Sequence, residues 1–531
     1  NMIINRGVAY WRDERAIGPC SRRLFMATLD ARLIALDAAS GILCANFGEQ
    51  GAVDLRRGIE PLVDDWELNN TSPPTVVGDV VVVGSSIADT IRRVGPPGDV
   101  RGFDARTGAL LWTFHTIPAP DEPGAETWEK NGREHSGHAN VWSTMTADLE
   151  RGLVFLPVAT AGPDFYGGDR LGDNLYANSV VALRAATGER VWHFQTVHHD
   201  IWDYDLAAPP NVVRVEHGGR EIDAVAQATK TGFVFLLDRD TGKPLFPVEE
   251  RPVPASDVPG ERAAPTQPFP LRPPALVSQR ITEADLWDHD PERLERCRAQ
   301  LAGLRNEGLY TPPSLRGSVI HPYTAGGANW SGAGWDPERR LLFVPVNNKV
   351  HVVRLKELPE DNVDTFSVRP LRFGLRGIWW LLSGRGTGLR YQTHPLWGRS
   401  ILSVDGVPCN RPPWGSLVAV DLDAGSIRWN VPTGAKDGAV GLSSFGPPLV
   451  TRSGIVFHAG TADLRLRAHD ADNGAVLASF PLPAGLHAGP ITYKLTEAGK
   501  QFLVIAPGGH VGADTPLGDW VIAYTLPDAG G

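Results

Sequence analysis

Three carboxylates, two imidazoles and two aromatic rings fall within nine residues in Val197-His198-His199-Asp200-Ile201-Trp202-Asp203-Tyr204-Asp205. Burying so much charge without partners is costly, so this density points to a site built around a cation or a reacting substrate. The bland alternative is a solvated loop. The stretch directly follows a strand-like run, Glu189-Arg190-Val191-Trp192-His193-Phe194-Gln195, which would place it at the mouth of a sheet.

The elements that position such a cluster are legible in a recurring pattern. An apolar strand is followed by Asp, a few small or polar residues, Gly, and a second strand that often carries Trp. The copies are Ala35–Gly41, Gly102–Gly108 with Trp112, Ala182–Gly188 with Trp192, Leu236–Gly242, Val420–Gly425 with Trp429, and Ala468–Gly474. Asp accepts backbone N–H bonds in such a turn and Gly takes its φ > 0 position. The Trp four residues past Gly is placed to pack between neighbouring units. Mostly spaced by roughly fifty to eighty residues, the copies fit one four-stranded blade per repeat and a single propeller of seven or eight blades. Return hairpins are expected at Asp148–Gly152 before Leu153–Pro157, and at Trp335–Arg340 before Leu341–Val344.

Two stretches break the rhythm. Residues from about 247 to 322 are Pro-rich and then read helically through Glu283–Trp287 and Pro291–Arg296; residues 356 to 413 are rich in Gly, Arg and Trp. Both are expected to decorate a face of one propeller domain that takes in all 531 residues. Gly 58 and Pro 44 suit many short strands joined by turns, and 42% hydrophobic content suffices for a large core. A net charge of -10, with no basic run, argues against nucleic acid and anionic membrane surfaces as partners. No apolar run approaches the roughly 20 residues that span a bilayer, and Asn1-Met2-Ile3-Ile4-Asn5 has no signal-peptide character.

The four cysteines form no CxxC or C-x-x-C-H, so neither a c-type haem nor a thiolate zinc site is expected. Their even count points to two bridges, Cys20–Cys44 and Cys297–Cys409, with four buried thiols as the alternative.

The Trp-bearing repeats, together with His199-Asp200-Ile201-Trp202-Asp203, resemble the quinoprotein dehydrogenases. That resemblance implies an all-β, eight-bladed β-propeller that holds pyrroloquinoline quinone (PQQ). It runs from Asn5-Arg6-Gly7-Val8-Ala9-Tyr10-Trp11 to Val521-Ile522-Ala523-Tyr524. The likeness is to the membrane-bound glucose/quinate/shikimate branch, on the strings Leu24–Leu36, Thr196–Asp200 and Ala228-Thr229-Lys230-Thr231-Gly232. Two departures stand out. Trp11 occupies a position where the glucose branch has histidine, and Gly326-Gly327-Ala328-Asn329-Trp330 is closer to the alcohol-oxidising branch. No two cysteines are adjacent, so the vicinal disulfide of several alcohol-oxidising members has no counterpart.

By this resemblance Asp203 is the general base and Lys230 the cation beside the quinone oxygens. Asp89, Thr160, Asp203 and Asp205 are the expected ligands of a divalent ion, calcium first, with magnesium or a lanthanide as alternatives. Trp142 would stack on the planar cofactor, and Arg6, Thr71, Ser86, Asn329 and Trp414 would complete its pocket. The implied reaction is oxidation of an alcohol, polyol or sugar in the periplasm, with electrons passed to ubiquinone or a cytochrome. Two rivals remain: a non-catalytic propeller of the outer-membrane assembly type, and a degenerate member without cofactor.

Overall fold

A computed structural model of the protein describes residues 4–526 apart from 62–64, 90, 361–386, 394–398 and 498. Among them, five sheets of four strands and three of three strands account for most of the regular structure. Each four-stranded sheet pairs antiparallel with its sequence neighbours. The first consists of Ala9–Arg12, Arg22–Ala27, Arg32–Asp37 and Ala52–Asp54. The second runs through Thr75–Val77, Val80–Val83, Val100–Asp104 and Leu110–Phe114, and the third through Thr146–Asp148, Leu153–Pro157, Ser179–Arg184 and Arg190–Gln195. Next come the three strands Asn211–His217, Arg220–Ala228 and Val234–Asp238. Gly334–Asp336, Leu341–Asn347, Gly415–Asp421 and Ser426–Pro432 form the fifth unit; the sixth spans Leu449–Pro481 and the seventh Ile491–Thr525. The return hairpins at Asp148–Leu153 and Asp336–Leu341 lie where the sequence places them.

The first strands of the first six units touch one another in sequence order. This arc of first strands is the propeller arrangement, with the sheets standing side by side.

The repeated turn works as its chemistry dictates. Asp104 Oδ1 accepts from the amide of Thr107 at 2.7 Å, Asp238 Oδ1 from that of Thr241 at 2.9 Å, and Asp421 Oδ1 from that of Ala424 at 2.9 Å. The indoles that follow reach the next unit: Trp112 donates from Nε1 to the Ala185 carbonyl, Trp192 to Arg239 and Trp429 to Ala471, each at 2.9 Å. Gly188 shows why glycine recurs in the turn. Its φ is +74°, and a Cβ there would lie 2.6 Å from the Trp112 ring.

Strand order decides where chemistry can gather. In an antiparallel meander, the connections before the first strand, between the second and third, and after the fourth share one edge; the Asp–Gly turns occupy the other. Arg6, Thr71 and Trp142 precede first strands, Asp203 follows a fourth, and Asp89, Thr160, Lys230 and Trp414 lie between second and third strands. One edge carries them all.

The interrupting segment contains the hairpin Val248–Pro252/Thr266–Pro270 and the helix Pro291–Ala302. Asp290 caps this helix by accepting from the Arg293 amide, and Pro291 opens it. The expected helix through Glu283–Trp287 is corrected to a single 3-10 turn, Glu283–Asp285, because Thr282 and Asp285 close a capping box around it and the backbone at Leu286 is extended. Much of the other stretch, 361–386 and 394–398, lies outside the described residues; its remainder supplies a strand, Arg399–Ile401, that pairs with His351–Val353. Both cystine bridges form, Cys20–Cys44 and Cys297–Cys409. No helix among the described residues is long and apolar enough to cross a membrane.

Replacing Trp192 by Ala removes a buried indole and its inter-unit hydrogen bond. A loss of about 3–5 kcal/mol in unfolding free energy is expected, read as a lower denaturant midpoint. Wild-type stability in this variant would show that the indole does not hold neighbouring units together.

Candidate active site

Lys230 is the hub. Its buried Nζ donates to Asp203 Oδ1 at 2.9 Å, to the Asp203 carbonyl at 2.8 Å and to Asp205 Oδ2 at 3.1 Å. The turn Ala228–Val234 between two strands of the fourth unit projects it, and Asp203 reaches it from the loop that leaves the third. Asp203 has φ +60°, a left-handed conformation uncommon outside glycine. Asp205 is held from three sides, by Lys230, by Trp142 Nε1 at 3.2 Å and by the Thr160 amide at 2.7 Å. Thr160 also donates its hydroxyl to Asp200. Asp200 Oδ1 accepts from the Trp202 amide and Oδ2 from that of Tyr204, which fixes the shape of the loop.

Trp142 links this cluster to the start of the chain. Thr71 Oγ1 donates to the Trp142 carbonyl at 3.1 Å, Arg6 Nη1 donates to the Thr71 carbonyl at 3.2 Å, and the Arg6 guanidinium lies 5.3 Å from the centre of the Trp142 ring. Among the described residues, Arg6 has no carboxylate partner, and burial lowers it to about 10. Trp330 stands 6.3 Å from Trp142, ring to ring, and Asn329 Oδ1 accepts from the Trp330 amide. Ser86 lies in a short strand paired with Leu68–Asn69, just before Asp89. Trp414 stands apart: its indole donates to the Asn410 carbonyl and meets Trp287 edge-on, and neither contact involves the cluster.

The electrostatics divide the carboxylates. Asp89 is exposed to solvent at the rim of the cluster; crowding by protein atoms first, then the charges of Asp203 and Asp205, push it up. Burial also raises Asp203, to about 6, with Asp205 adding to the rise and Lys230 and Arg399 opposing it. Asp205 goes the other way. Burial opposes its charge, but Lys230 and the Thr160 amide outweigh burial and hold it below the ordinary range. The same two aspartates raise Lys230 despite its own burial.

Sequence reading passed over four further residues. Arg399 Nη1 donates to Asp203 Oδ2 at 3.0 Å from a side chain that is 46% exposed. Asp164 is buried, makes no hydrogen bond or ion pair with a described residue, and is raised by burial and by the charges of Asp89, Asp203 and Asp205. His351 feels both Arg399 and Lys230. Glu261, from the long insertion, meets His199 Nε2 at 2.8 Å in a fully buried pair that braces the loop. Arg399, His351 and Glu261 have no local signal. Asp164 had one: like Asp203 it follows a strand and sits in a loop with aromatic residues, in Ala161-Gly162-Pro163-Asp164-Phe165.

The carboxylates repel one another beside the Trp142 indole and the partly buried Arg6 guanidinium, and among the described residues no three His, Cys, Asp or Glu side chains converge closely enough to hold a metal ion by themselves. Comparison with known proteins gives the family. Residues 1–503 match the family model described as PQQ: glucose/ethanol/alcohol dehydrogenase, beta-propeller domain. The chain belongs to this family. The quinate/shikimate dehydrogenase (quinone) of Acinetobacter baylyi is 34% identical over 96% of this chain and 63% of its own length. The glycerol dehydrogenase large subunit of Gluconobacter oxydans is 35% identical, over 98% and 72%. The chain thus spans about two thirds of the length of these relatives. In fold it is similar to the quinohemoprotein alcohol dehydrogenase of Comamonas testosteroni, with a TM-score of 0.65, 24% identity, and 99% and 68% of the two chains covered.

With Asp203 near 6 and Asp89 also raised, a cation that needs both as anions must displace protons in acid. Raised carboxyls lose their protons as pH rises, so affinity climbs through this window, by on the order of tenfold per pH unit for each proton displaced. Calcium titration of the cofactor-free protein at pH 8 and pH 5.5 checks this. Equal affinities at the two values would contradict the crowding of these carboxylates.

Proposed function

We propose that the protein oxidises an alcohol, polyol or sugar in a PQQ-dependent reaction, with Asp203 as the general base. One observation carries this reading: a largely enclosed carboxylate raised to about 6 is hydrogen-bonded to a buried lysine beside further aspartates. A carboxylate poised there accepts a hydroxyl proton near neutral pH better than an ordinary aspartate does. Lys230 is the fixed positive charge against which negative charge develops. Asp205, already neutralised by Lys230, stays anionic throughout and keeps Trp142 in place through its indole N–H.

The residues fit both absent groups. Arg6, lacking a carboxylate of its own, suits a carboxylate of PQQ, and the Trp142 plane suits a flat tricyclic ring. Thr71 holds the Trp142 carbonyl, Asn329 precedes the Trp330 ring that stands near that plane, and Ser86 and Asn329 are read as further cofactor contacts. Asp89, Asp203 and Asp205 provide hard oxygens for a divalent ion, with Thr160 beside them. Calcium is the first choice, and magnesium or a lanthanide suits the same oxygens. PQQ, when bound, supplies the two-electron acceptor for hydride, and the cation supplies a Lewis acid for the substrate oxygen. Electrons then pass to ubiquinone or a cytochrome, in the periplasm. Relatives named for quinone support the former. The fold is read as an eight-bladed propeller with Trp-docked blades; seven consecutive sheet units lie among the described residues. A scaffold propeller has no use for buried, mutually repelling carboxylates.

Loading the protein with PQQ and calcium should give dye reduction with an alcohol or sugar. Asp203→Asn should lower kcat by about 10²–10⁴, with loading followed by cofactor absorbance. Undiminished turnover in the loaded variant would remove Asp203 from the role of base.

A further inference from the structure

One carboxyl group of the cluster has no part in the reaction described above. Asp164 is 7% exposed and makes no hydrogen bond or ion pair with a described residue. Asp203 and Asp205 have Lys230, and Asp89 has solvent. Buried polar groups in folded proteins are paired, and one left bare costs stability unless a ligand or water supplies the partner. The charges that Asp164 feels are those of Asp89, Asp203, Asp205 and Arg399, so it borders the base.

Buried groups fix its separation from Asp203. Arg170, fully enclosed, donates from Nη2 to the carbonyl of Pro163, the residue before Asp164, at 2.9 Å, and to that of Asp200 at 2.5 Å. Its Nη1 is held by Asn174 Oδ1 at 2.8 Å. Glu261 is a second clamp: Oε2 accepts from the Gly167 amide, and Oε1 meets His199 Nε2 at 2.8 Å. Only glycine fits at 167, because a Cβ there would lie 2.6 Å from His199 Nε2. Arg399 adds a third link, its guanidinium 5.8 Å from the centre of the Phe165 ring and bonded to Asp203 Oδ2. The loops 161–170 and 197–205 are thereby tied into one unit, with Asp164 on one and Asp203 on the other.

We propose that Asp164 is a second anchor for the substrate: it takes the hydroxyl that neighbours the one deprotonated at Asp203. The inference rests on the redox reading above and adds to it a specificity-determining residue. A hydroxyl both donates and accepts, so it satisfies a carboxyl group in either protonation state. A methyl group in the same place leaves Asp164 bare. Two carboxyl groups on rigidly tied loops hold a pair of substrate oxygens in one orientation, and that orientation is what a reacting alcohol needs.

Ethylene glycol and 1-propanol are close in size and differ in this one group, which makes them the probes. With the PQQ- and calcium-loaded enzyme, kcat/KM for the diol should be higher by about tenfold or more, since a site built to pair a substrate hydroxyl rejects the analogue without it. Asp164→Ala should raise KM for the diol by roughly 10–100-fold and remove the preference. Asp164→Asn, whose amide donates and accepts, should recover part of it. Calorimetry of the diol with the reduced, anaerobic holoenzyme makes the same comparison without turnover. A preference that survives in Asp164→Ala, with or without a lower denaturant midpoint, would overturn the proposal. Calcium affinity of the cofactor-free protein that falls together with the preference in Asp164→Asn would overturn it too, by making Asp164 an ion ligand. Equal oxidation of the two alcohols by the wild type would sink the anchor and leave the redox reading intact. Asp164-dependent binding of the diol with no oxidation of any alcohol would uphold the anchor and sink the redox reading instead.

Discussion

Crowded carboxylates are the constraint from which the rest of the site follows. Asp89, Asp164, Asp203 and Asp205 stand close enough to raise or compete for one another's charge, with Asp164 buried, Asp203 and Asp205 largely enclosed and Asp89 open to solvent. Such an arrangement is unfavourable unless opposed, and in the protein alone the opposition comes from two cations, Lys230 and Arg399. Asp89 and Asp164 are left over, without a bonded cation among the described residues. In the proposed reading this shortage of positive charge is what a divalent ion would relieve, although among the described residues no three carboxylates converge as a ligand set by themselves.

Holding those groups together falls to a scaffold that is rigid for other reasons. The Asp–Gly turns and the indoles that reach the next unit belong to the edge opposite the site. Stability and chemistry are thereby separated: turns, Trp contacts and interunit ion pairs such as Arg151 with Asp223 and Asp240 secure the sheets at one edge. Loops at the other edge are free to carry charge. The His199–Glu261 pair ties the long insertion to the loop that bears Asp203, so the excursion over the face is mechanically part of the site.

What could be read from sequence was what is encoded locally. The repeat is legible because an Asp side chain bonds its own backbone two or three residues on, and a Gly with φ > 0 follows at a fixed offset. The cluster 197–205 is legible because its ionisable groups are contiguous, and Lys230 sits in a short, distinctive string. Arg399 meets Asp203 across 196 positions of chain and His199 meets Glu261 across 62, and no spacing rule connects such partners. The stretch that holds Arg399 reads as irregular and Arg-rich, which says a cation is present without saying where it lands. Trp414 comes from the family resemblance alone; the contacts its indole makes are to Trp287 and the Asn410 carbonyl.

The pair Asp203 and Asp205 shows how two identical side chains two positions apart acquire different work. Both touch Lys230, so the ammonium alone does not distinguish them. The difference is made by neutral donors. Asp205 receives a backbone amide and an indole N–H in addition, and is stabilised as an anion. Among the described residues Asp203 receives no such donor from the backbone, and its second oxygen accepts from the half-exposed Arg399. A left-handed backbone at Asp203 turns it out of the run of amides that satisfies Asp200. Carboxylates pushed apart by their surroundings take separate roles, one remaining charged as structure and one free to exchange a proton. In the proposed reaction the exchange falls to Asp203, the member of the pair whose hydrogen bonds come from side chains alone among the described residues apart from the contact of Lys230 with its carbonyl.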